Sequence, residues 1–382
     1  MSKTYLIFSA FYPPHLGGVE IFTQNLARQI CVEGDSAIVV TNNHADLSTK
    51  EVDEYGVQVL RVPCISLLDG RFCLNSSIQC MSLIKSELNS KNIDGVLVNT
   101  RFYPLSIIGL AFSRFKKIVP VVLDHGSDYL AIGNTTVDFF IKIYEHVITN
   151  VGKLFKPRYY GISNRSRVWL QNFGILADGV ISNSINSDEF MKLSSGRKFR
   201  AEFGLSANCL LVAVVARLIP DKGISQIIAA SQNKEITKRN IVFLIAGDGP
   251  LRSEVENASS SNLKYVGRLS SNDIASMFLD ADLFCLPSRS EGFCSTLLEA
   301  SACGCPALIT NVGVVPDVIL NDDYGTVLDN GDSDEIVRSL VSLYDHRTVL
   351  KLQGRNVQNR VRSAFSLSKT AQQARKAMNN SL

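Results

Sequence analysis

The chain has 382 residues, which at about 150 residues per domain indicates two or three domains and excludes a single small one. Lysine and arginine number 39 against 36 aspartate and glutamate, giving a net charge of +3, and hydrophobic residues make up 46%. This composition is too apolar for a disordered chain and too evenly charged for a dedicated nucleic-acid-binding protein. We therefore expect no nucleic acid partner.

The sequence predicts neither a membrane span nor a signal peptide. No apolar run approaches the length of about 20 residues that a spanning helix needs; the uncharged stretch Phe102–Ser113 has about a dozen. The early apolar run Tyr5–Phe8 is cut short by Pro13 and Pro14 without a cleavage site, so it predicts a first strand. Nine cysteines, an odd number without paired C-x-x-C spacing, indicate reduced thiols and a cytoplasmic location.

Short β-branched runs alternate with helical patterns along the whole chain. The predicted strands are Tyr5–Ser9, Ala37–Thr41, Val57–Val62, Gly95–Val98 and Val119–Leu123 in the first half, and Leu210–Ala216, Ile241–Ala246, Leu263–Val266, Leu283–Leu286 and Ala307–Thr310 in the second. Strands of this kind between amphipathic helices indicate parallel sheets covered on both faces. The sequence therefore predicts an α/β protein with two Rossmann-like, doubly wound domains.

A polar, glycine-containing stretch, Asn183–Ser206, separates the two sets of strands. We predict a first domain at 1–190, a second at 191–360 and a C-terminal helical segment at 361–382. Sheets of this type bind ligands at the carboxyl ends of their strands, so candidate chemistry is sought directly after strands.

Glycines follow the first strand. Gly17 and Gly18 precede a helix predicted to start near Val19, where backbone N–H groups could approach an anion at the helix N-terminus. A tight turn with glycine as a spacer explains the same pair.

A lysine follows the strand Leu210–Ala216. In Arg217-Leu-Ile-Pro-Asp-Lys-Gly223, Lys222 is predicted in the first turn of a helix, where the positive end of the helix dipole disfavours a cation unless an anion is bound. The alternative is a solvated Lys222 paired with Asp221.

Two glutamates follow the strand Leu283–Leu286. Glu291 is predicted in the loop and Glu299 one turn inside the next helix, whose free N–H groups at Ser295, Thr296 and Leu297 suit a phosphate. The alternative for Glu299 is a capping box with Thr296, which leaves Glu291 unexplained.

Together these motifs resemble the family 4 retaining glycosyltransferases of the GT-B fold, and the resemblance covers nearly the whole chain. It is carried by Arg217 with Lys222, Ile245-Ala-Gly-Asp-Gly-Pro250, Ser288-Arg-Ser-Glu-Gly-Phe293 with Glu299, Phe11-Tyr-Pro-Pro14, Gly17-Gly-Val-Glu20 and Phe365-Ser-Leu-Ser-Lys-Thr370. The last motif resembles the closing helix that returns to the first, acceptor-side domain of this family.

The resemblance implies a role for each matching residue. Arg217 and Lys222 would hold the donor diphosphate as cations, and Glu299 would bind the ribose hydroxyls. Glu291, with the backbone of Gly292 and Phe293, would bind the transferred sugar. The remaining donor-binding positions are the helix start at Ser295, Thr296 and Leu297, and the glycines Gly17 and Gly18 of the first domain.

His125 matches the family's histidine that faces the reacting sugar, because it follows the predicted strand Val119–Leu123. The resemblance thus implies His125, Glu291, Arg217 and Lys222 as the catalytic set. A second histidine, His15, lies beside Gly17 and is either an acceptor or phosphate contact or an exposed loop residue. The chain departs from the family pattern at Asn183-Ser184, and at Cys294-Ser295, which leaves the transferred sugar open.

No metal or other cofactor is expected. Asp280-Ala-Asp282 and Asp332-Ser-Asp334 fit the D-x-D string of metal-dependent glycosyltransferases. The first leads into an apolar strand and the second precedes a helix, and Arg217 with Lys222 already supplies cations for a diphosphate.

The resemblance therefore implies hexosyl or N-acetylhexosaminyl transfer from a nucleotide-diphosphate sugar, preferably a UDP-sugar, to a glycan or lipid-linked acceptor in cell-surface polysaccharide biosynthesis. The alternatives are a GDP-mannose-dependent mannosyltransferase, a nucleotide-sugar 2-epimerase of the same fold, and a non-catalytic binding protein. A dehydrogenase is disfavoured because no G-x-G-x-x-G follows a strand.

A local charge bias indicates a weak interaction with the inner face of the membrane. Between Arg101 and Arg167 there are ten basic residues against four acidic ones, and the segments Phe139–Tyr144 and Val151–Tyr160 mix aromatic and basic residues. Such segments lie in bilayer interfaces. A helix that packs its aromatics inward is the alternative.

Overall fold

The computed structural model describes residues 2–15, 17–67, 72–130 and 135–379 and divides the chain into two compact units. The first unit comprises residues 1–183 and 367–382, and the second residues 184–366. Within the described ranges, no helix combines the length and apolar character needed to cross a membrane.

The first unit is built around an eight-stranded sheet with the strand order β10-β9-β8-β7-β1-β2-β4-β3, parallel except for β3. Its elements up to residue 183 are β1 (Thr4–Phe8), α1 (Gly18–Val32), β2 (Ser36–Asn42), β3 (Lys50–Val52), β4 (Gln58–Val62), β5 (Ile65–Leu67), β6 (Phe72–Leu74), α2 (Ser77–Leu88), β7 (Gly95–Asn99), α3 (Pro104–Phe115), β8 (Val121–Asp124), α4 (Thr135–Lys153), β9 (Arg158–Gly161), α5 (Asn164–Trp169) and β10 (Gly179–Val180).

The second unit holds a six-stranded parallel sheet with the order β13-β12-β11-β14-β15-β16. Its elements are α6 (Ser187–Lys192), α7 (Phe199–Glu202), β11 (Leu210–Val215), α8 (Ile224–Ser231), α9 (Lys234–Lys238), β12 (Ile241–Ala246), α10 (Arg252–Asn257), β13 (Leu263–Gly267), α11 (Ser271–Asp280), β14 (Leu283–Leu286), α12 (Ser295–Ala302), β15 (Ala307–Thr310), α13 (Val315–Val318), β16 (Thr326–Leu328), α14 (Ser333–Asp345) and α15 (Thr348–Ala364).

The strand β11 shows why its sequence is apolar without alternation. Leu211 and Ala213 face one buried core, whereas Leu210 and Val212 face another on the opposite side of the sheet. Because both faces are covered, every position must be apolar. The prediction of an α/β chain whose parallel sheets are covered on both faces is confirmed.

The last helix, α16 (Leu367–Asn379), belongs to the first unit. The Thr370 hydroxyl donates to the carbonyl of Ser182 at 2.8 Å, and an ideal Cβ on Gly95 would lie 2.6 Å from Cβ of Met378. Gly95 therefore allows α16 to pack directly against β7.

The unit boundaries differ from those we predicted. The first lies at 183/184 rather than 190/191, because Phe190 of α6 is buried in a core of the second unit. The second lies at 366/367 rather than 360/361, since Val361 and Phe365 are buried in the same core. Residues 1 and 380–382 of the predicted segments lie outside the described residues.

Candidate active site

The switch point of the second sheet lies between β11 and β14, where the order of the strands reverses. The loop after β11 carries Arg217 and Lys222, and the loop after β14 carries Glu291. The two loops are joined because the backbone N–H of Arg289 donates to the carbonyl of Asp221 at 2.8 Å. An ideal Cβ on Gly223 would lie 2.4 Å from the Pro287 carbonyl oxygen, so only glycine fits this approach.

Lys222 and Glu291 form an ion pair across these loops. The distance from Lys222 Nζ to Glu291 Oε1 is 2.6 Å, and the two side chains are 13% and 10% exposed. The Ser288 hydroxyl donates to the same Glu291 oxygen at 2.8 Å. The sequence-based alternative, a pair between Lys222 and Asp221, is wrong.

The local structure at Lys222 also differs from the prediction. Lys222 ends a short 3₁₀ turn, and Gly223, at φ 69°, precedes α8, which starts at Ile224. Lys222 is therefore not in the first turn of this helix, and its charge is balanced by Glu291 rather than opposed by the helix dipole. Arg217 is exposed and makes no ion pair within the described part of the chain.

The start of α12 lies beside Glu291. Cys294, at φ 77°, is the N-cap residue, Gly292 and Ser295 are exposed, and Phe293 is partly buried. The Phe293 carbonyl accepts from the N–H of Val314 at 2.8 Å, which fixes the loop. The helix N-terminus therefore presents the backbone of Ser295 and Thr296 beside the ion pair.

Leu297 is a correction to the predicted set. Its N–H donates to the Cys294 carbonyl at 3.2 Å, and its side chain is fully buried. The N–H of Leu297 is therefore not a free donor for a phosphate, because the first turn of α12 closes on itself.

Glu299 does not cap its helix. The capping box with Thr296 is excluded because α12 begins at Ser295, so Thr296 already lies inside the helix. Burial raises the pKa of Glu299 to about 7. The cost of burying this carboxylate is consistent with a group held for a ligand rather than for the helix.

His125 follows β8 in the first unit. Its Nε2 lies 3.1 Å from Oδ1 of Asn99, and the Asn99 amide nitrogen donates to the Thr23 hydroxyl at 2.7 Å. Because the Asn99 oxygen can only accept, Nε2 of His125 carries the hydrogen. Burial lowers the pKa of His125 to about 3, so the ring is neutral near pH 7.

Gly17 and Gly18 start α1 in the same unit. Gly17 is the N-cap in an extended conformation, and an ideal Cβ there would lie 2.3 Å from Glu20 Oε2. A Cβ on Gly18 would meet nothing within 4 Å. A side chain at position 17 would therefore displace the Glu20 carboxylate from its present position.

The predicted site residues fall into two groups. Arg217, Lys222, Glu291, Gly292, Phe293, Ser295, Thr296, Leu297 and Glu299 belong to the second unit, and Gly17, Gly18 and His125 belong to the first. Within the second unit, the structure joins Lys222 and Glu291 directly.

Sequence reasoning missed a buried charge cluster beside His125. Arg101 lies 2.7 Å from Glu145 Oε2 and 3.5 Å from Asp124 Oδ1, and all three residues are buried. Burial raises the pKa of both carboxyl groups, while Arg101 opposes the rise. The sequence positions could have indicated this cluster. Arg101 follows β7 and Asp124 ends β8, and these two strands are neighbours in the sheet.

The two D-x-D strings have structural partners. Asp282 accepts from Arg200 at 2.5 Å, and Asp332 caps α14 by accepting from the N–H of Glu335 at 2.8 Å. Among the residues that the structure describes, no group of three or more His, Cys, Asp or Glu side chains is arranged to hold a metal ion.

Comparison with known proteins agrees with these features. Residues 196–360 match the family described as glycosyl transferases group 1. An uncharacterized glycosyltransferase of Methanocaldococcus jannaschii is 22% identical over 386 residues, covering 97% of both chains. The UDP-Gal:alpha-D-GlcNAc-diphosphoundecaprenol alpha-1,3-galactosyltransferase of Escherichia coli is 28% identical over 199 residues, covering 50% of this chain and 51% of that protein.

Among solved structures, Anabaena HepE in complex with UDP-glucose has the same fold, with a TM-score of 0.69, 18% identity and 98% coverage of both chains. The fold and the matched region together define a glycosyltransferase of the GT-B class. The chain carries a group 1 glycosyltransferase domain and is a transferase enzyme.

Proposed function

We propose that this enzyme transfers a hexosyl or N-acetylhexosaminyl group from a UDP-sugar, with retention of configuration and without a metal, to a glycan or lipid-linked acceptor. The reaction would serve cell-surface polysaccharide biosynthesis at the cytoplasmic face of the membrane. The observation that carries the proposal is the Lys222–Glu291 pair at the switch point, beside the exposed Arg217 and the start of α12.

The residues suit a departing nucleoside diphosphate. Arg217 and Lys222 are cations at the carboxyl edge of β11, and donors at the start of α12 suit an anion. Such groups stabilise the negative charge that develops on a leaving diphosphate. In the proposed complex, Lys222 would contact the phosphate, Glu291 would accept hydrogen bonds from the sugar hydroxyls, and Glu299 would accept those of the ribose.

The donor and acceptor are supported by the names of similar proteins. The E. coli relative is named for UDP-galactose and a diphospho-lipid acceptor, and HepE was solved with UDP-glucose. A UDP-sugar and a lipid-linked acceptor are therefore our first choice. The role that the family resemblance implies for His125, contact with the reacting sugar, would be filled by a neutral ring.

A donor screen tests this proposal. Release of nucleoside diphosphate is measured with UDP-glucose, UDP-galactose, UDP-N-acetylglucosamine and GDP-mannose, using N-acetylglucosamine diphospho-undecane as acceptor beside a set of soluble glycans. We expect one UDP-sugar to be used and an α-linked product by NMR. Exclusive use of GDP-mannose would contradict the UDP assignment. Conversion of the donor to its 2-epimer without glycan product would contradict transfer.

A membrane-binding surface is the second part of the proposal, and α4 carries it. The residues of α4 that face solvent include Phe140, Ile143 and Val147, which are 63%, 46% and 57% exposed. By contrast, Glu145 and Thr149 are buried. This helix therefore turns its apolar stripe outward and a polar side inward, the reverse of an ordinary surface helix.

The basic residues around α4 suit an anionic bilayer, although fewer of them are exposed than the sequence suggested. Lys142 and Lys156 are exposed. In contrast, Arg101 is buried between carboxylates, and Tyr159 and Tyr160 lie in β9 with 7% and 9% exposure. The second predicted segment is therefore mainly part of the sheet, and we assign the membrane contact to α4.

Vesicle binding tests the surface. We expect flotation with phosphatidylglycerol vesicles at low salt, weaker flotation with phosphatidylcholine, and release at high salt because the charges are screened. Ile143→Asp should abolish binding. Ile78→Asp, at an α2 position that is 84% exposed, is the matched control and should leave binding intact. Equal binding to both lipids, or none, would contradict this surface.

A further inference from the structure

A cavity in the first unit lies away from the candidate site, and the proposed transfer does not use it. Its volume is about 520 Å³, which is within the range of small-molecule sites. Its wall combines Lys3 and Tyr5 at the start of β1, Asp35 before β2 and one side of α16. Gly17 and His125 follow the carboxyl ends of strands of the same sheet, so the cavity lies at the opposite, amino-terminal edge.

Two of the three cations in the cavity wall have no carboxylate partner. Arg375 is paired with Glu33 and with Asp35, whose Oδ2 lies 3.3 Å from Nη1. Asp35 also accepts from the backbone N–H of Lys3 at 3.0 Å. By contrast, the ammonium groups of Lys3 and Lys376 form no ion pair with any described residue, and Lys376 is exposed. The cavity therefore keeps two cations that an anion can reach.

The hydrogen bonds of the wall leave polar groups free beside the lysines. Oδ1 of Asn379 accepts from Lys3 Nζ and from Tyr5 Oη, each at 3.1 Å. These bonds do not use the Asn379 amide nitrogen, which is a donor, and the Tyr5 oxygen keeps its lone pairs. Lys3 has two further N–H groups. The wall thus presents ammonium donors for a phosphoryl group, and an amide, a phenol and the Asp35 carboxylate for hydroxyl groups.

We propose that this cavity is an effector site for the phosphate ester of a polyol, such as a sugar phosphate. Lys3 and Lys376 hold the phosphoryl group through charge-assisted hydrogen bonds. The ligand's hydroxyl groups donate to Asp35 and Tyr5 and accept from Asn379. Because these residues come from both β1 and α16, the ligand fastens the last helix to the sheet. The assignment does not depend on the proposed glycosyl transfer.

Isothermal titration calorimetry at low salt tests the site, on the chain without terminal tags because Lys3 and Asn379 are close to the ends of the sequence. The probes are glucose 6-phosphate, inorganic phosphate and glucose, and vesicles with phosphatidylinositol 4-phosphate present the same chemistry on a lipid. We expect saturable binding of glucose 6-phosphate, at least tenfold weaker binding of inorganic phosphate and none of glucose. The melting temperature should rise with the concentration of glucose 6-phosphate.

Variants assign the binding to the cavity. Lys3→Gln and Lys376→Gln should each weaken the binding of glucose 6-phosphate about tenfold, since each removes a hydrogen bond from a charged donor. Lys117→Gln is the matched control, because Lys117 is an exposed lysine before β8, at the same edge of the sheet, and does not line the cavity. Lys222→Ala should also bind as wild type, which separates this cavity from the candidate donor site.

The outcomes are distinct. A wild-type chain that binds none of the phosphate probes overturns the effector site. Binding that Lys222→Ala abolishes and Lys376→Gln retains places the phosphate in the second unit and overturns it as well. Binding of glucose 6-phosphate that Lys376→Gln weakens supports a free metabolite as the ligand. Binding of the lipid vesicles alone, weakened by the same variant, supports the same phosphate chemistry with a lipid headgroup as its source.

Discussion

The edges of the two sheets carry charged clusters of different kinds. In the second unit, Lys222 and Glu291 pair across two loops and keep 13% and 10% of their side chains exposed. In the first unit, Arg101 is buried between Asp124 and Glu145, whose side chains are 0% and 1% exposed. A pair that keeps some exposure to solvent can be reached by a ligand, whereas a fully buried cluster must remain intact because an unpaired charge there is costly.

The buried cluster also joins elements. Glu145 of α4 accepts from the N–H of Leu130 at 2.9 Å, so it holds both Arg101 and the loop that follows β8. The inner side of α4 is polar because it bonds these loops, and its apolar residues therefore face outward. We therefore expect substitutions in the Arg101 cluster to change stability and substitutions in the Lys222–Glu291 pair to change activity.

The largest expected effect is on stability, from Arg101→Met. Removing the cation leaves two buried carboxyl groups unpaired, and breaking such clusters costs about 3–5 kcal/mol. Urea unfolding at pH 7.5 measures this loss. The loss should shrink at low pH, where protonation of Asp124 and Glu145 removes the unpaired charges. A variant as stable as wild type would show that Arg101 is not needed to neutralise the cluster.

Substitutions in the Lys222–Glu291 pair should change activity instead. We expect Lys222→Ala and Glu291→Ala each to reduce transfer at least about 100-fold, or about 2.7 kcal/mol. Lys222→Ala removes a cation from the leaving group, whereas Glu291→Ala removes the proposed contact with the transferred sugar. The melting temperature should fall by only a few degrees. Lys234→Ala, at an exposed lysine of α9, is the control and should behave as wild type.

A charge swap tests whether the Lys222–Glu291 pair acts on the donor or only links the two loops. The double variant Lys222→Glu with Glu291→Lys keeps an ion pair, so it should retain near wild-type stability while transfer stays lost. Recovery of transfer in the swapped protein would mean that the pair acts as a structural link and not through contacts with the donor.

A smaller change, in the free energy of unfolding, is expected from Glu299→Gln. Burial raises the pKa of Glu299 from its ordinary value of 4.5 to about 7. The folded state therefore keeps the Glu299 proton up to a higher pH than the unfolded state does. The stability that this proton contributes is lost as pH rises from about 4.5 through 7. Glu299→Gln should be about 1–3 kcal/mol more stable than wild type at pH 8, with the gain vanishing near pH 4.

Unfolding curves of both proteins at pH 4, 6 and 8 provide the measurement. A stability difference that does not change with pH would show that Glu299 keeps an ordinary pKa in the folded protein.

The smallest expected effect is that of chelation. We predict that EDTA leaves transfer unchanged, since in the proposed site Arg217 and Lys222 would supply the positive charge for the diphosphate. Nucleoside diphosphate release is followed before and after EDTA treatment. Loss of turnover that Mg²⁺ or Mn²⁺ restores would require a different account of the diphosphate site.

The sequence by itself determined the layers of the fold and the loops that carry the candidate site. Runs such as Leu210–Ala216 and Ile241–Ala246 predicted buried parallel strands, and their positions agree with β11 and β12. The reason is that a strand covered on both faces needs apolar residues at every position, which a single sequence shows directly. Arg217, Lys222 and Glu291 were found because they follow such strands.

Only the tertiary structure decided which charges meet and which face of a helix is buried. The partner of Lys222 is Glu291, 69 positions away, rather than the adjacent Asp221. The sequence showed Arg101 and Glu145 only as two charged residues of a basic region. In the structure they form a buried ion pair between the end of β7 and α4. A local stretch of sequence shows only which residues are neighbours along the chain. The sheet brings distant loops and helices together, and this decides the ion pairs, the burial of Glu299 and the outward apolar stripe of α4.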